Sequence, residues 1–407
     1  MTLGYFWDSV GGGVRLAIAL SRQAFIFWLV LMLPHSSAAS IFQVLSLNSI
    51  FSFLLGGERY FSIISDRSGL AQVFGKTFCA SIVMAPVYWL AVFVIFPELL
   101  SDFGALGVAA FYSAAVYDAM ASNEQKVFTY LADGAFDDLK LNLLRNVLPI
   151  IVSALMWFVF DVQWPLSLFL GAGVLNVIYI GRWVGEGCPG IDFVIFDRSQ
   201  LKLVMAGLGF RANVLFDRYA SGILWGDAGV VAISLIQSVV STVGGFVDTS
   251  FSKRVTGSGR FVLAVPGMDA AVKAALRRAR VRSFLSRVNP LPALWFVVSF
   301  SACVAVLYYK SVPFDRTVLA YFFSYFLFSC YAHFLGVFSV CTIDPRINVY
   351  SPISRLIFVL PVLLVGAGAE IIFVLSAVIS TLVSIYLVFS GFRLNPLTVV
   401  SPFKLFR

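Results

Sequence analysis

Charge is scarce in this chain. Only 12% of its 407 residues are Asp, Glu, Lys or Arg, about half the share of an ordinary soluble domain. Histidine occurs twice. Cysteine occurs five times, at Cys79, Cys188, Cys303, Cys330 and Cys341, without CxxC or Cys/His spacing. No zinc site or disulfide framework is therefore expected, and the cysteines read as small packing residues. Nucleotide-binding signatures are missing too. No GK[ST] follows Gly11 to Gly13, and the run from Gly257 to Arg260 lacks the flanking strand and helix of a phosphate loop. The chain is thus expected not to hydrolyse ATP, and no covalent chemistry is expected of it. A membrane glycosyltransferase or glycan polymerase would carry acidic residues on a sizeable outer loop, and the outer connections here are short. Met1 to Gly12 has no basic n-region, so the first apolar segment is expected to remain in the protein rather than be cleaved as a signal peptide.

What the chain has in abundance is apolar surface. Sixty per cent of residues are hydrophobic and 16% aromatic, and the mean hydropathy is +0.91. Such a composition points to an all-α integral membrane protein, since about 20 apolar residues span the hydrocarbon as a helix. Twelve segments qualify, at residues 13–33, 40–55, 73–96, 105–121, 141–160, 166–184, 201–224, 230–251, 292–309, 318–341, 356–367 and 370–389. The last two run together across Gly366 and Gly368, which leaves eleven open as a count. The longest connection, from about Ser252 to Asn289, is too short for an independent domain. Within it, the stretch from Met268 to Val288 reads as a basic surface helix lying on an anionic leaflet.

Lys and Arg in the connections set the orientation. With both termini cytoplasmic, the inner side receives residues such as Arg59, Lys126, Arg145, Arg182, the cluster from Lys253 to Arg287, Arg346, Arg355 and Arg407. The outer side receives only Lys310 and Arg316. The net charge of +8 is then largely topological and implies no nucleic-acid partner.

Two arginine pairs of equal spacing nevertheless lie inside apolar segments. Arg15 and Arg22 occupy the first segment, Arg211 and Arg218 the seventh. Seven residues apart, the members of each pair share a helix face. Both pairs are related by an offset of 196 residues, close to half the chain, which predicts two similar six-helix lobes, residues 1–195 and 196–407. A guanidinium at membrane depth normally faces a water-filled cavity or a partner. One reading is a phosphate- or diphosphate-binding cavity, for which the guanidinium fork suits better than an ammonium. The other is internal pairing, for example of Asp217, or snorkelling of Arg15 to the headgroups. Asn213 and Asp217 are stacked on the same helix as Arg218. Glu58 and Arg59 end the second segment and are candidates either for a gate or for a headgroup-level pair. Asp217, Asp118 and Glu58 are the candidates for coupling to a sodium or proton gradient; no other cofactor is expected.

The segments VRLAIALSRQAFIFWLV, YDAMASNEQKVFTY and LGFRANVLFDRYASGILWGDAGVVAISLIQSVVSTVGGFVDTSFSKRV resemble the polysaccharide (Wzx-type) flippases of the multidrug/oligosaccharidyl-lipid/polysaccharide exporter superfamily. The most specific part is the polar seventh helix with Asn213, Asp217 and Arg218, then a turn at Gly226 and an apolar eighth helix. The resemblance implies two lobes around a central cavity, alternating access in a bacterial inner membrane and transfer of an undecaprenyl-diphosphate-linked oligosaccharide from the inner to the outer leaflet. It implies substrate contact at Arg15, Arg22, Arg59, Arg211, Arg218 and Asn213. The expected partners are that lipid-linked substrate, membrane lipids and a glycan polymerase or export complex. Two alternatives stay open: a MATE-like small-molecule antiporter, which would need carboxylates around its ligand, and a membrane scaffold of a polysaccharide export complex.

Overall fold

The computed structural model describes residues 17–18, 21–22, 24–56, 69–131, 143–191, 198–263, 291–312, 315–342 and 370–392. The regular structure among them is helical. In lipid a backbone must satisfy its own hydrogen bonds, and the helix does so within one segment. The first apolar segment is helical at 17–18, 21–22 and 24–32 and is called α1. There follow α2 (His35–Gly56), α3 (Leu70–Ile95), α4 (Pro97–Leu131), a π-helical turn (Leu143–Val147) leading into α5 (Leu148–Phe160), α6 (Trp164–Val174), α7 (Asn176–Gly185), α8 (Arg198–Leu263), α9 (Leu291–Tyr309), α10 (Arg316–Thr342) and α11 (Glu370–Phe392). Six described segments are long and apolar enough to cross a membrane: His35–Gly56, Leu70–Ile95, Pro97–Gln125, Leu143–Phe160, Leu166–Gly185 and Arg211–Thr242. Leu294–Tyr309 and Glu370–Val383 are shorter apolar stretches. The segment expected at 356–367 lies outside the described residues.

Breaks between helices sit where the backbone chemistry allows them. α8 carries both the seventh and the eighth apolar segments, bent at Gly226, whose φ of 64° and ψ of −157° lie in a region that residues with a Cβ rarely enter. Gly104 bends α4 in the same way, with φ 64° and ψ −175°. Helical structure in α8 runs on to Leu263, so the connection expected to start near Ser252 starts later.

Two compact units are present, Met1–Arg211 and Ala212–Arg407, with the division inside α8. In the first unit α4 packs on α2, α3 and α6, and α6 packs on α5. Small residues permit the close approach, as is usual where lipid gives helices no hydrophobic reason to associate. A Cβ on Gly171 of α6 would lie 2.4 Å from Oγ and 2.9 Å from Cα of Ser153 on α5. Amide and hydroxyl groups add polar ties. Asn48 of α2 donates to the Phe111 carbonyl on α4 at 2.9 Å and accepts from the Tyr88 hydroxyl on α3 at 2.8 Å. Asn176 donates to the Ser113 carbonyl at 2.8 Å, and Asn123 to the Gly56 carbonyl at 3.1 Å. In the second unit α10 packs on α11, with Tyr321 stacked on Phe373 and Thr381 donating to the Ser324 carbonyl.

Candidate functional site

A cavity of about 240 Å³ opens in the first unit. Its cationic wall is made by Arg22 of α1, Arg145 of the π-helical turn and Arg211 of α8, and Asp118 of α4 is the one carboxylate among the described lining residues. Asn48, Ser49 and Ser52 of α2, with Ser122 and Asn123 of α4, supply neutral polar groups. Each guanidinium is held differently. Arg22 makes a two-pronged ion pair with Asp118, Nη1 to Oδ1 at 2.5 Å and Nη2 to Oδ2 at 3.2 Å. Its buried Nε has no hydrogen-bond partner among the described residues. Arg145 donates to the Gln125 side-chain oxygen. Arg211 lies over the face of Phe53, its Cζ 4.2 Å from the ring centroid, where the negative face of the ring attracts the cation.

Three of the residues selected from sequence therefore meet: Arg22, Asp118 and Arg211, from segments as far apart as 22 and 211. Arg145 joins them although its sequence position suggests only a basic residue at the inner membrane face. It projects from the π-helical turn at the head of α5, and such turns recur at functional sites.

Arg218 is placed otherwise. It is 7% exposed in the second unit, and Asp217 is 1% exposed. Arg218 Nε donates to Gln237 Oε1 at 2.8 Å. The Gln237 amide nitrogen donates to the Tyr321 hydroxyl at 2.9 Å and to Asp217 Oδ2 at 3.4 Å, and Tyr321 in turn donates to Asp217 Oδ2 at 2.6 Å. The carboxylate and the guanidinium are thus joined through a glutamine. Sequence reasoning from charge misses Gln237 and Tyr321, since neither carries any. Asn213, one turn earlier on α8, is 2% exposed, and neither its side-chain nitrogen nor its oxygen has a hydrogen-bond partner among the described residues.

Arg15, Glu58 and Arg59 lie outside the described residues. Asp161 caps α5 in a left-handed conformation, and both it and Asp227, just after Gly226, are exposed. Among the described residues no group of three or more His, Cys, Asp or Glu side chains is placed to hold a metal ion.

No family model and no curated protein matches the chain. Similar solved structures include an inward-facing MATE family multidrug resistance transporter of the MOP superfamily, with 12% identity, 97% of this chain and 100% of that chain covered, and a TM-score of 0.47. The outward-facing conformation of such a transporter gives 12% identity, 96% and 95% coverage and a TM-score of 0.47. A MOP superfamily transporter from Pyrococcus furiosus, described as having a binding pocket of reversed polarity, gives 12% identity, 96% coverage of both chains and a TM-score of 0.42.

Proposed function

We propose that the protein is a membrane transporter without covalent chemistry whose basic cavity receives a diphosphate, and that its substrate is an undecaprenyl-diphosphate-linked oligosaccharide carried across a bacterial inner membrane by alternating access. One observation carries the reading. Among the described residues three guanidiniums and one carboxylate line one cavity, an excess of two positive charges. A diphosphate that bridges a lipid and a sugar carries two negative charges, so its entry neutralises the site, and each Arg–phosphate contact adds a charge-assisted hydrogen bond. Ser49, Ser52 and Ser122 around the arginines supply donors and acceptors of the kind that sugar hydroxyls use. A site for organic cations would present the opposite balance, carboxylates without this many guanidiniums.

In this reading Arg22, Arg145 and Arg211 contact the diphosphate. Arg15 and Arg59 are proposed to extend the basic path, and Asp118, Asp217 and Glu58 to serve coupling to a sodium or proton gradient. A polymerase or export complex would take up the product on the outer face.

Mass spectrometry of lipid copurified with the full-length protein tests the assignment. A diphosphate-linked glycolipid should copurify with the native protein and be lost from Arg145→Ala and Arg211→Ala at unchanged membrane abundance. Recovery of the same lipid with both variants, or of lipids without a diphosphate, would remove the arginines from substrate binding.

A further inference from the structure

We propose that Asp118 is the cavity's resident competitor for the substrate anion, a residue that sets affinity by holding Arg22 until a diphosphate displaces it. This rests on the anion-binding reading of the cavity. The Arg22–Asp118 pair uses both guanidinium Nη atoms and both carboxylate oxygens, the fork-to-fork geometry that a phosphate would also demand. The pair sits inside the cavity rather than behind its wall, because both residues line it. Of the other two guanidiniums in the cavity, Arg145 donates to the Gln125 side chain and Arg211 lies over the ring of Phe53.

The competition has a physical purpose. Three guanidiniums converging on one site would bind a dianion tightly, and a transporter must also release its cargo. A carboxylate within reach of one arginine lowers affinity twice over, by occupying Arg22 and by repelling the arriving phosphate. It also offers the guanidinium a partner to return to on release, so that Arg22 never stands as an orphaned buried charge. Asp118 acts through Arg22 rather than by touching the cargo, so it is a positioning residue.

Binding of inorganic pyrophosphate to the full-length protein in detergent at low ionic strength, measured by isothermal titration calorimetry, tests this. Asp118→Asn should bind pyrophosphate about tenfold more tightly than the native protein, the effect of one additional charge-assisted hydrogen bond to the anion. In reconstituted vesicles the same variant should turn over more slowly because release is retarded. The tighter binding should vanish in the Arg22→Ala/Asp118→Asn double variant, which should match Arg22→Ala alone. Asp118→Ala serves the same comparison if the asparagine variant is not recovered folded.

Weaker or unchanged pyrophosphate binding by both Asp118 variants, with binding still lost in Arg145→Ala and Arg211→Ala, would overturn the competitor role and leave the anion site standing. Absence of pyrophosphate binding to the native protein and to Asp118→Asn alike would overturn both.

Discussion

Arg211 and Arg218 lie two turns apart on one helix, yet their surroundings predict opposite phenotypes on removal. Arg218 is 7% exposed and tied through Gln237 and Tyr321 to Asp217, itself 1% exposed. Arg218→Ala takes the donor from Gln237 Oε1, a buried acceptor whose loss of partner costs about 1 to 3 kcal/mol. It also removes the guanidinium tied through Gln237 to the buried Asp217 carboxylate, and breaking a buried charge network on one side costs up to about 3 to 5 kcal/mol in total. That is a large part of the stability of an ordinary domain. The variant should therefore be scarce in the membrane and melt early in detergent. Arg211→Ala removes a guanidinium from a cavity wall and from the face of Phe53, an interaction worth about 0.5 to 2 kcal/mol. It should reach the membrane at near-normal level and fail in transport. Fluorescence-detected size-exclusion chromatography after graded heating reports the first property, and transport in reconstituted vesicles reports the second. Asp217→Asn/Arg218→Gln, which removes both charges at once, should recover much of the lost abundance. If Arg218→Ala is as abundant and as heat-resistant as the native protein while transport is lost, the buried network is not structural and Arg218 belongs to the mechanism.

Other perturbations probe the packing, the backbone and the topology. Gly171→Ala should lower the melting temperature, because its Cβ would meet Ser153 at 2.4 to 2.9 Å and two packed helices would have to separate. Gly226→Ala has open space around the new methyl but a φ of 64° and ψ of −157°, so its cost of about 1 to 3 kcal/mol is backbone strain alone and should leave pyrophosphate affinity unchanged. Asn213→Leu should raise the melting temperature by relieving an amide buried without partners among the described residues, and a simultaneous loss of transport would mark Asn213 as a group kept for function at a stability cost. Single cysteines at Lys273 and Arg316, in a background free of native cysteine, should react with an impermeant thiol reagent from opposite sides of the membrane. Lys310 is a poor outer probe because it is 7% exposed, and desolvation lowers its ammonium pKa. Labelling of both positions from outside intact cells would overturn the topology.

The helices were largely legible because hydrocarbon leaves a backbone few options, so an apolar run of the right length becomes a helix whatever packs beside it. Boundaries were less so. α2 starts at His35 rather than near Ser40 because the Pro34 carbonyl accepts the Ala38 N–H and carries the first turn through the polar residues Ser36 and Ser37. The cavity was legible in part for an energetic reason: a guanidinium in an apolar segment must find compensation, and this rule alone selects Arg22 and Arg211. It did not single out Arg145, which stands at the start of the segment 141–160, where an arginine reads as a headgroup contact; the π-helical turn directs it inward. Nor could it separate Arg211 from Arg218, since the two carry the same charge, in the same segment, on the same expected face. What separates them is the neighbours supplied by other segments: the ring of Phe53 for one, and for the other Gln237, 19 residues away, with Tyr321, 104 residues from Asp217. A glutamine and a tyrosine in apolar helices carry no charge to betray them. A buried arginine therefore advertises that compensation exists, while the packing decides whether the compensating group is a fixed part of the protein or a cargo that comes and goes.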